Sequence, residues 1–180
     1  YYHPVLEAKL VTACGWAFSL LTEFIENPGE QPTKQDCELK AFYRLAARLK
    51  QRFPRLPLCL LLDGLYAGGP TFALCDQYHW KYLVVLQEAD LPSVQEEFRT
   101  LAPLTPADQV HLRPSGPFKL QQDFRWVNDI AYVDSERREH TVAVLECLET
   151  KQAPKAEPKT TRFKWITNFS ITPQTAPILA

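Results

Sequence analysis

Leu58-Cys59-Leu60-Leu61-Leu62-Asp63-Gly64 decides how this chain is read. Five apolar residues without a polar alternate describe a strand buried on both faces, as in the middle of a sheet with helices on either side. The run ends on Asp-Gly, so a carboxylate stands at the strand's carboxyl end, where open α/β sheets bind ligands. Upstream, Leu39, Phe42, Ala46, Leu49 and Phe53 recur at spacings of three and four, one apolar face of a helix over Thr33 to Phe53. Thr33 and Asp36 suit its N-terminal cap, and Pro54 and Pro57 end it. Further upstream, Tyr2 to Thr12 and Trp16 to Ile25 read as a hairpin turning at Cys14-Gly15, and Asn27 to Pro32 as a loop. Downstream, a short helix within Tyr66 to Tyr78, a buried strand over Trp80 to Leu86 and a helix over Ser93 to Leu101 complete an α/β core.

From about Thr105 the period changes. Phe124, Trp126, Ile130 and Tyr132 fall on even positions, as do Val142, Val144 and Leu148, while Phe163, Trp165, Phe169 and Ile171 fall on odd ones. Alternation of this kind predicts antiparallel strands with one buried face. Asp134 to His140 and Lys151 to Thr160 serve as connections. The expected organisation is a core over 1–104 followed by a β-rich region over 105–180.

Composition narrows the function classes. Hydrophobic residues make up 46% and charged residues 23%, with a formal net charge of -1, too apolar and too weakly charged for a disordered chain. The longest apolar run is far short of the ~20 residues of a spanning helix, so no membrane role is expected. Five Cys without a C-x-x-C pair point to a reduced, cytosolic protein rather than a disulfide or zinc framework. The chain contains no Met and begins within an apolar stretch, which reads as an internal piece of a longer protein. Charge is uneven. Lys34 to Arg55 carries seven basic and two acidic residues, and from Lys151 onward there are five basic residues against Glu157. Such islands suit phosphate contacts and equally suit solvated faces.

Asp63 is the candidate catalytic and metal-ligating residue, since a carboxylate is a hard oxygen donor suited to Mg²⁺; Asp-Gly is also ordinary turn chemistry. His3 and Glu7 lie too far apart along a strand to clasp a metal. The glycine-containing stretch Asp63 to Pro70 lacks the ending of a P-loop, and no Gly-x-Ser-x-Gly is present.

Four segments in order, Tyr2-His3, Thr22-Glu23-Phe24-Ile25, Lys34-Gln35-Asp36-Cys37-Glu38-Leu39-Lys40-Ala41-Phe42 and Leu62-Asp63-Gly64-Leu65-Tyr66-Ala67, resemble the middle of bacterial insertion-sequence transposases with a DDE catalytic core. The resemblance covers residues 1–100 well and the β-rich part more loosely. It implies an incomplete ribonuclease-H-like mixed sheet with flanking helices, followed by an antiparallel β-rich insertion. Residues 1–26 become its second and third strands, and Asp63 the second of three acidic ligands for two Mg²⁺ ions. The first Asp then lies upstream of Tyr1, and the closing Glu downstream of Ala180. It further implies DNA as partner, a homodimer in the complete protein and a place in the bacterial cytosol or nucleoid. DNA contacts fall to Lys40, Arg44 and Arg48 on the first helix and to Lys159, Arg162 and Lys164 in the insertion. Trp126 and Trp165 are candidates to stack on a base, although both lie on the alternating apolar face, where core packing is the stronger reading. The alternatives are a non-catalytic DNA-binding or assembly module, in which Asp63 is only a turn, and an unrelated metal-dependent nuclease on the same fold.

With a single ligand of the three, the 180-residue chain should neither nick nor join DNA carrying element ends in Mg²⁺ or Mn²⁺. Gel-resolved cleavage that disappears in Asp63→Ala would show that the missing ligands have been misplaced.

Overall fold

The computed structural model describes residues 4–25, 34–112, 119–152 and 157–180. Thr33, the loop from Asn27 to Pro32, His3 and the side chain of Asp36 lie outside the described set. The chain divides into two compact units, Tyr1–Leu56 and Pro57–Ala180.

In the first unit, β1 (Val5–Val11) and β2 (Ala17–Phe24) form a two-stranded antiparallel sheet. The turn between them closes through Thr12, whose backbone N–H donates to the Trp16 carbonyl at 2.9 Å and whose hydroxyl accepts from the Trp16 N–H at 3.1 Å. Gly15 takes φ +83° there, a conformation that disfavours any residue with a Cβ. Helix α1 (Lys34–Arg52) buries Phe42, Ala46 and Leu49, together with Ala41 and Leu45. The face expected from the three-four spacing is the face that packs.

The second unit is built on one six-stranded mixed sheet, in the order β3 (Cys59–Leu62), β4 (Lys81–Val85), β8 (Lys159–Thr167), β7 (Glu139–Gln152), β6 (Lys119–Val133) and β5 (Gln109–Leu112). Strands β3 and β4 are parallel and joined through α2 (Gly69–Tyr78), and every other neighbour is antiparallel. This is a mixed α/β architecture with flanking helices. Among the described residues β3 lies at the edge of this sheet, and one of its faces is open where the apolar run predicts cover on both. Leu61 is 64% exposed, and Cys59 is exposed beside it. A continuous apolar run reports hydrophobicity and carries no information about whether a neighbour occupies the second edge.

The register also corrects the expected single face of β6. Val127 pairs with Val144 and Ile130 with Val142, so a bulge at Asn128-Asp129 adds one residue, with Asp129 at φ +58°. Because side chains alternate with period two, the extra residue reverses the parity. Phe124 and Trp126 therefore share a face with Ala143, Leu145 and Cys147, packed beneath Ile171 and the short α4 (Ala176–Leu179). Ile130 and Tyr132 emerge on the opposite face, with Val142 and Val144. That second face carries α2 and α3 (Pro92–Leu101), with Phe72 stacked on Tyr82 at 4.8 Å. The bulge also aims Asn128 at the descending chain. Its amide nitrogen donates to the Ile171 carbonyl at 2.9 Å, and its oxygen accepts from the Ile171 N–H at 2.8 Å.

The start of α2 rests against the β6–β7 turn. A Cβ on Gly69 would stand 2.3 Å from Asp134 Cβ and Oδ2. Asp134 cannot yield easily, because its carboxylate accepts from the backbone N–H groups of Glu136 and Arg138, from Arg138 Nε at 2.7 Å and from His140 Nε2 at 3.2 Å. Burial by itself would raise the Asp134 carboxyl, but these donors together hold it well below the ordinary carboxylate range. Gly69→Ala should therefore destabilise the protein by about 1–3 kcal/mol in urea unfolding. An unchanged midpoint would mean that α2 can lift off the turn at no cost.

Candidate functional site

Asp63 stands where the sequence reading placed it, at the carboxyl end of β3 and exposed. Its Oδ1 accepts the Leu65 N–H at 3.0 Å, capping the 3₁₀ turn Gly64–Tyr66. Gly64 presses on the Gln87 side chain, where a Cβ would lie 2.8 Å from Nε2. This sets Asp63-Gly64 beside the segment leaving the carboxyl end of the parallel neighbour β4. Among the described residues no group of three or more His, Cys, Asp and Glu is placed to hold a metal ion. A pair of Mg²⁺ ions needs several carboxylates, and Asp63 is a single one.

The basic residues of α1 have local partners. Arg44 Nε donates to Glu23 Oε1 at 2.8 Å and its Nη2 to the Phe24 carbonyl, while Arg48 Nη1 donates to both Glu23 Oε2 at 2.7 Å and the Thr22 carbonyl. One carboxylate thus fastens the helix to β2, and the two guanidiniums are structural before they are anything else. The basic spacing alone did not reveal this; Glu23, 21 residues before Arg44 in the chain, was the missing partner. Lys40 on α1 and Lys159 on β8 are exposed.

Arg162 and Lys164 belong to a different arrangement. Strand pairing sets Arg125, Glu146 and Lys164 in one row across β6, β7 and β8, with Arg162 two residues before Lys164 on the same face. Glu146 is 1% exposed. Arg125 Nε donates to its Oε2, while Arg162 Nε and Lys164 Nζ each lie 3.6 Å from its Oε1. From α3, the buried Gln95 accepts from Lys164 Nζ at 2.8 Å and donates to the Gln87 carbonyl. The Phe98 ring lies beneath both Arg125 and Lys164. Burial lowers the Lys164 ammonium from its ordinary value; Glu146 opposes this, and the nearby Arg162 and Arg99 add to it. Glu146 and Gln95 escaped the sequence reading. A Glu within the otherwise apolar run Val142 to Leu148 was the available signal, since an unpaired charge seldom occupies an inward strand position.

The two tryptophans separate. Trp126 is 1% exposed inside the core and offers no ring face to a base. Trp165 is partly buried against the same cluster and is stacked by Phe163 at 6.0 Å. The cysteines separate as well. Cys14 and Cys59 are exposed, contrary to their apolar sequence surroundings, whereas burial pushes the Cys75 thiol up to about 12 and the Cys147 thiol up to about 11. All four are free thiols. No helix among the described residues is long and apolar enough to cross a membrane.

Hydrogen bonds from Arg44 and Arg48 hold the Glu23 carboxyl below its ordinary value of 4.5. A depressed carboxyl stabilises the fold above its unfolded value, and that contribution is lost as pH falls through the folded one. The docking of α1 on the hairpin should therefore loosen as pH falls below the ordinary carboxylate value of 4.5. Both guanidiniums are half exposed, so solvent screening limits the effect to ~1 kcal/mol. Glu23→Gln should remove this acid sensitivity, read as amide exchange in β2 and α1; retention of the full pH dependence would assign it to another group.

No protein-family model matches the chain, and no curated protein matches its sequence.

Proposed function

We propose that this chain is part of a DDE transposase, an enzyme that cleaves DNA phosphodiesters and joins the freed end to a target, with Asp63 as one acidic ligand of its metal site. The observation that carries this reading is the position of Asp63: exposed, at the carboxyl end of a strand in a parallel β3–α2–β4 unit, next to the segment leaving β4. The architecture supports it in two further ways. An antiparallel meander follows α3. The outer edge of β3 has no strand partner among the described residues, and a ribonuclease-H-like sheet sets its first strand against that edge. Within such an enzyme, Mg²⁺ ions would stabilise the attacking and leaving oxygens, and Asp63 would supply one carboxylate towards holding them. The resemblance puts the other acidic ligands outside these residues. The exposed cations Lys40, Lys159 and Arg162 would meet DNA phosphates, with affinity that falls steeply with salt.

A second reading is favoured by the Leu65 N–H that Asp63 accepts: a DNA-binding or assembly module in which this carboxylate only caps a turn. Asp63→Asn separates the two, because the amide oxygen still caps while the anionic ligand is lost. In the full-length product of the encoding gene, the substitution should lower element-end cleavage and strand transfer in Mg²⁺ by at least about a thousandfold, an order expected when a catalytic charge is removed, with DNA affinity unchanged. Cleavage at the unsubstituted rate would overturn the catalytic reading.

A further inference from the structure

Charge at the Arg125–Glu146–Lys164 row does not balance. One carboxylate, itself 1% exposed, faces Arg125, Arg162 and Lys164 within 3.6 Å. Gln95, the remaining buried polar neighbour, brings an acceptor but no charge. Lys164 is 10% exposed, so little of its charge is dispersed by water, and a buried ionic group needs a partner of opposite sign. The arrangement therefore holds about two positive charges in excess at one place on the sheet.

That place opens to solvent. Strands β4 and β8 pair from Leu83 to Val85, and after the bond from the Leu86 N–H to the Lys164 carbonyl the two chains diverge. The fork between them is a cleft of about 270 Å³ lined by 85–88 and 162–165, with Arg162 and Lys164 on its wall and Glu88 as its acidic member. Arg162 is 54% exposed. Its Nε lies 3.6 Å from Glu146 Oε1, an ion-pair distance without a hydrogen bond, which leaves guanidinium donors for a tetrahedral oxyanion.

We propose that this fork is a phosphate-binding site in which Arg162 donates to the anion, Lys164 contributes charge from the wall and Glu146 is the buried positioning carboxylate. The ligand is a phosphate group, carried either by a nucleic-acid backbone or by a free phosphate or phosphomonoester. Only the first source rests on the transposase reading.

The test uses the 180-residue chain, with inorganic phosphate and a duplex oligonucleotide as probes. Inorganic phosphate should shift the Arg162 Nε–Hε signal in ¹H–¹⁵N spectra. Arg162→Gln should weaken its binding by about tenfold, the equivalent of one charge-assisted hydrogen bond, while Arg162→Lys retains most of it. Glu146→Gln distinguishes positioning from simple charge. If Glu146 only offsets positive charge, its neutralisation tightens phosphate binding and overturns the positioning role; if it orients Arg162, binding weakens several-fold despite the added positive charge. If the phosphate belongs to a nucleic-acid backbone, Arg162→Gln also lowers the slope of log affinity against log salt by about one. Loss of inorganic phosphate binding with an unchanged DNA slope would support the site and assign it to a free phosphate or monoester. No Arg162 shift together with an unchanged DNA slope would overturn the site, while the cleavage reading, which depends on Asp63, would still stand.

Discussion

Strand β8 is paired along both edges, and that double pairing joins two different kinds of structure. On one side Trp165, Ile166 and Thr167 meet Val85, Val84 and Leu83 of the parallel unit; on the other the whole strand runs against β7. A parallel strand pair alone leaves two open edges, and a three-stranded meander leaves two more. Zipping them together removes one edge from each and produces a single sheet broad enough to bury apolar side chains on both faces. The pairing is locked locally: the Thr167 hydroxyl donates to the Tyr82 carbonyl, and Asn168 both donates to the Trp80 carbonyl and accepts the Tyr82 N–H.

One of the two candidate sites is a consequence of that join. Asp63 lies at the carboxyl end of the outermost parallel strand, where the backbone leaves the sheet and a side chain is free to face a ligand. The cationic fork opens where β4 and β8 cease to pair, so the same divergence that ends the ladder also exposes Arg162. Glu146 is tolerated in the interior because neighbouring strands bring cations into register with it. The Arg44–Glu23–Arg48 cluster follows the same rule in the first unit, joining helix to strand through one shared carboxylate.

Much of the element order was legible from periodicity. The Leu39 to Phe53 spacing marked the buried face of α1, the hairpin ends fell close to Thr12 and Trp16, and alternation marked the meander. Two features were not legible for identifiable reasons. Leu58 to Leu62 is apolar throughout, yet one face of β3 is open among the described residues, because an apolar run does not report which faces are covered. The even positions of β6 looked like one face because a bulge at Asn128-Asp129 leaves no hydrophobic signature. One inserted residue moved Ile130 and Tyr132 to the opposite layer from Trp126.

What the sequence by itself determined is local: which segments form helices and strands, that a carboxylate follows an apolar strand, and that basic residues cluster in two islands. Those properties depend on neighbours a few positions apart, through backbone propensity and the two periodicities. Tertiary structure alone decided which charges are neutralised. Arg44 and Arg48 answer to Glu23, whereas Arg125, Arg162 and Lys164 crowd one Glu146. The physical reason is that electrostatic partnership depends on distance in space, and strand register brings Glu146 to cations 16 to 21 residues away in the chain.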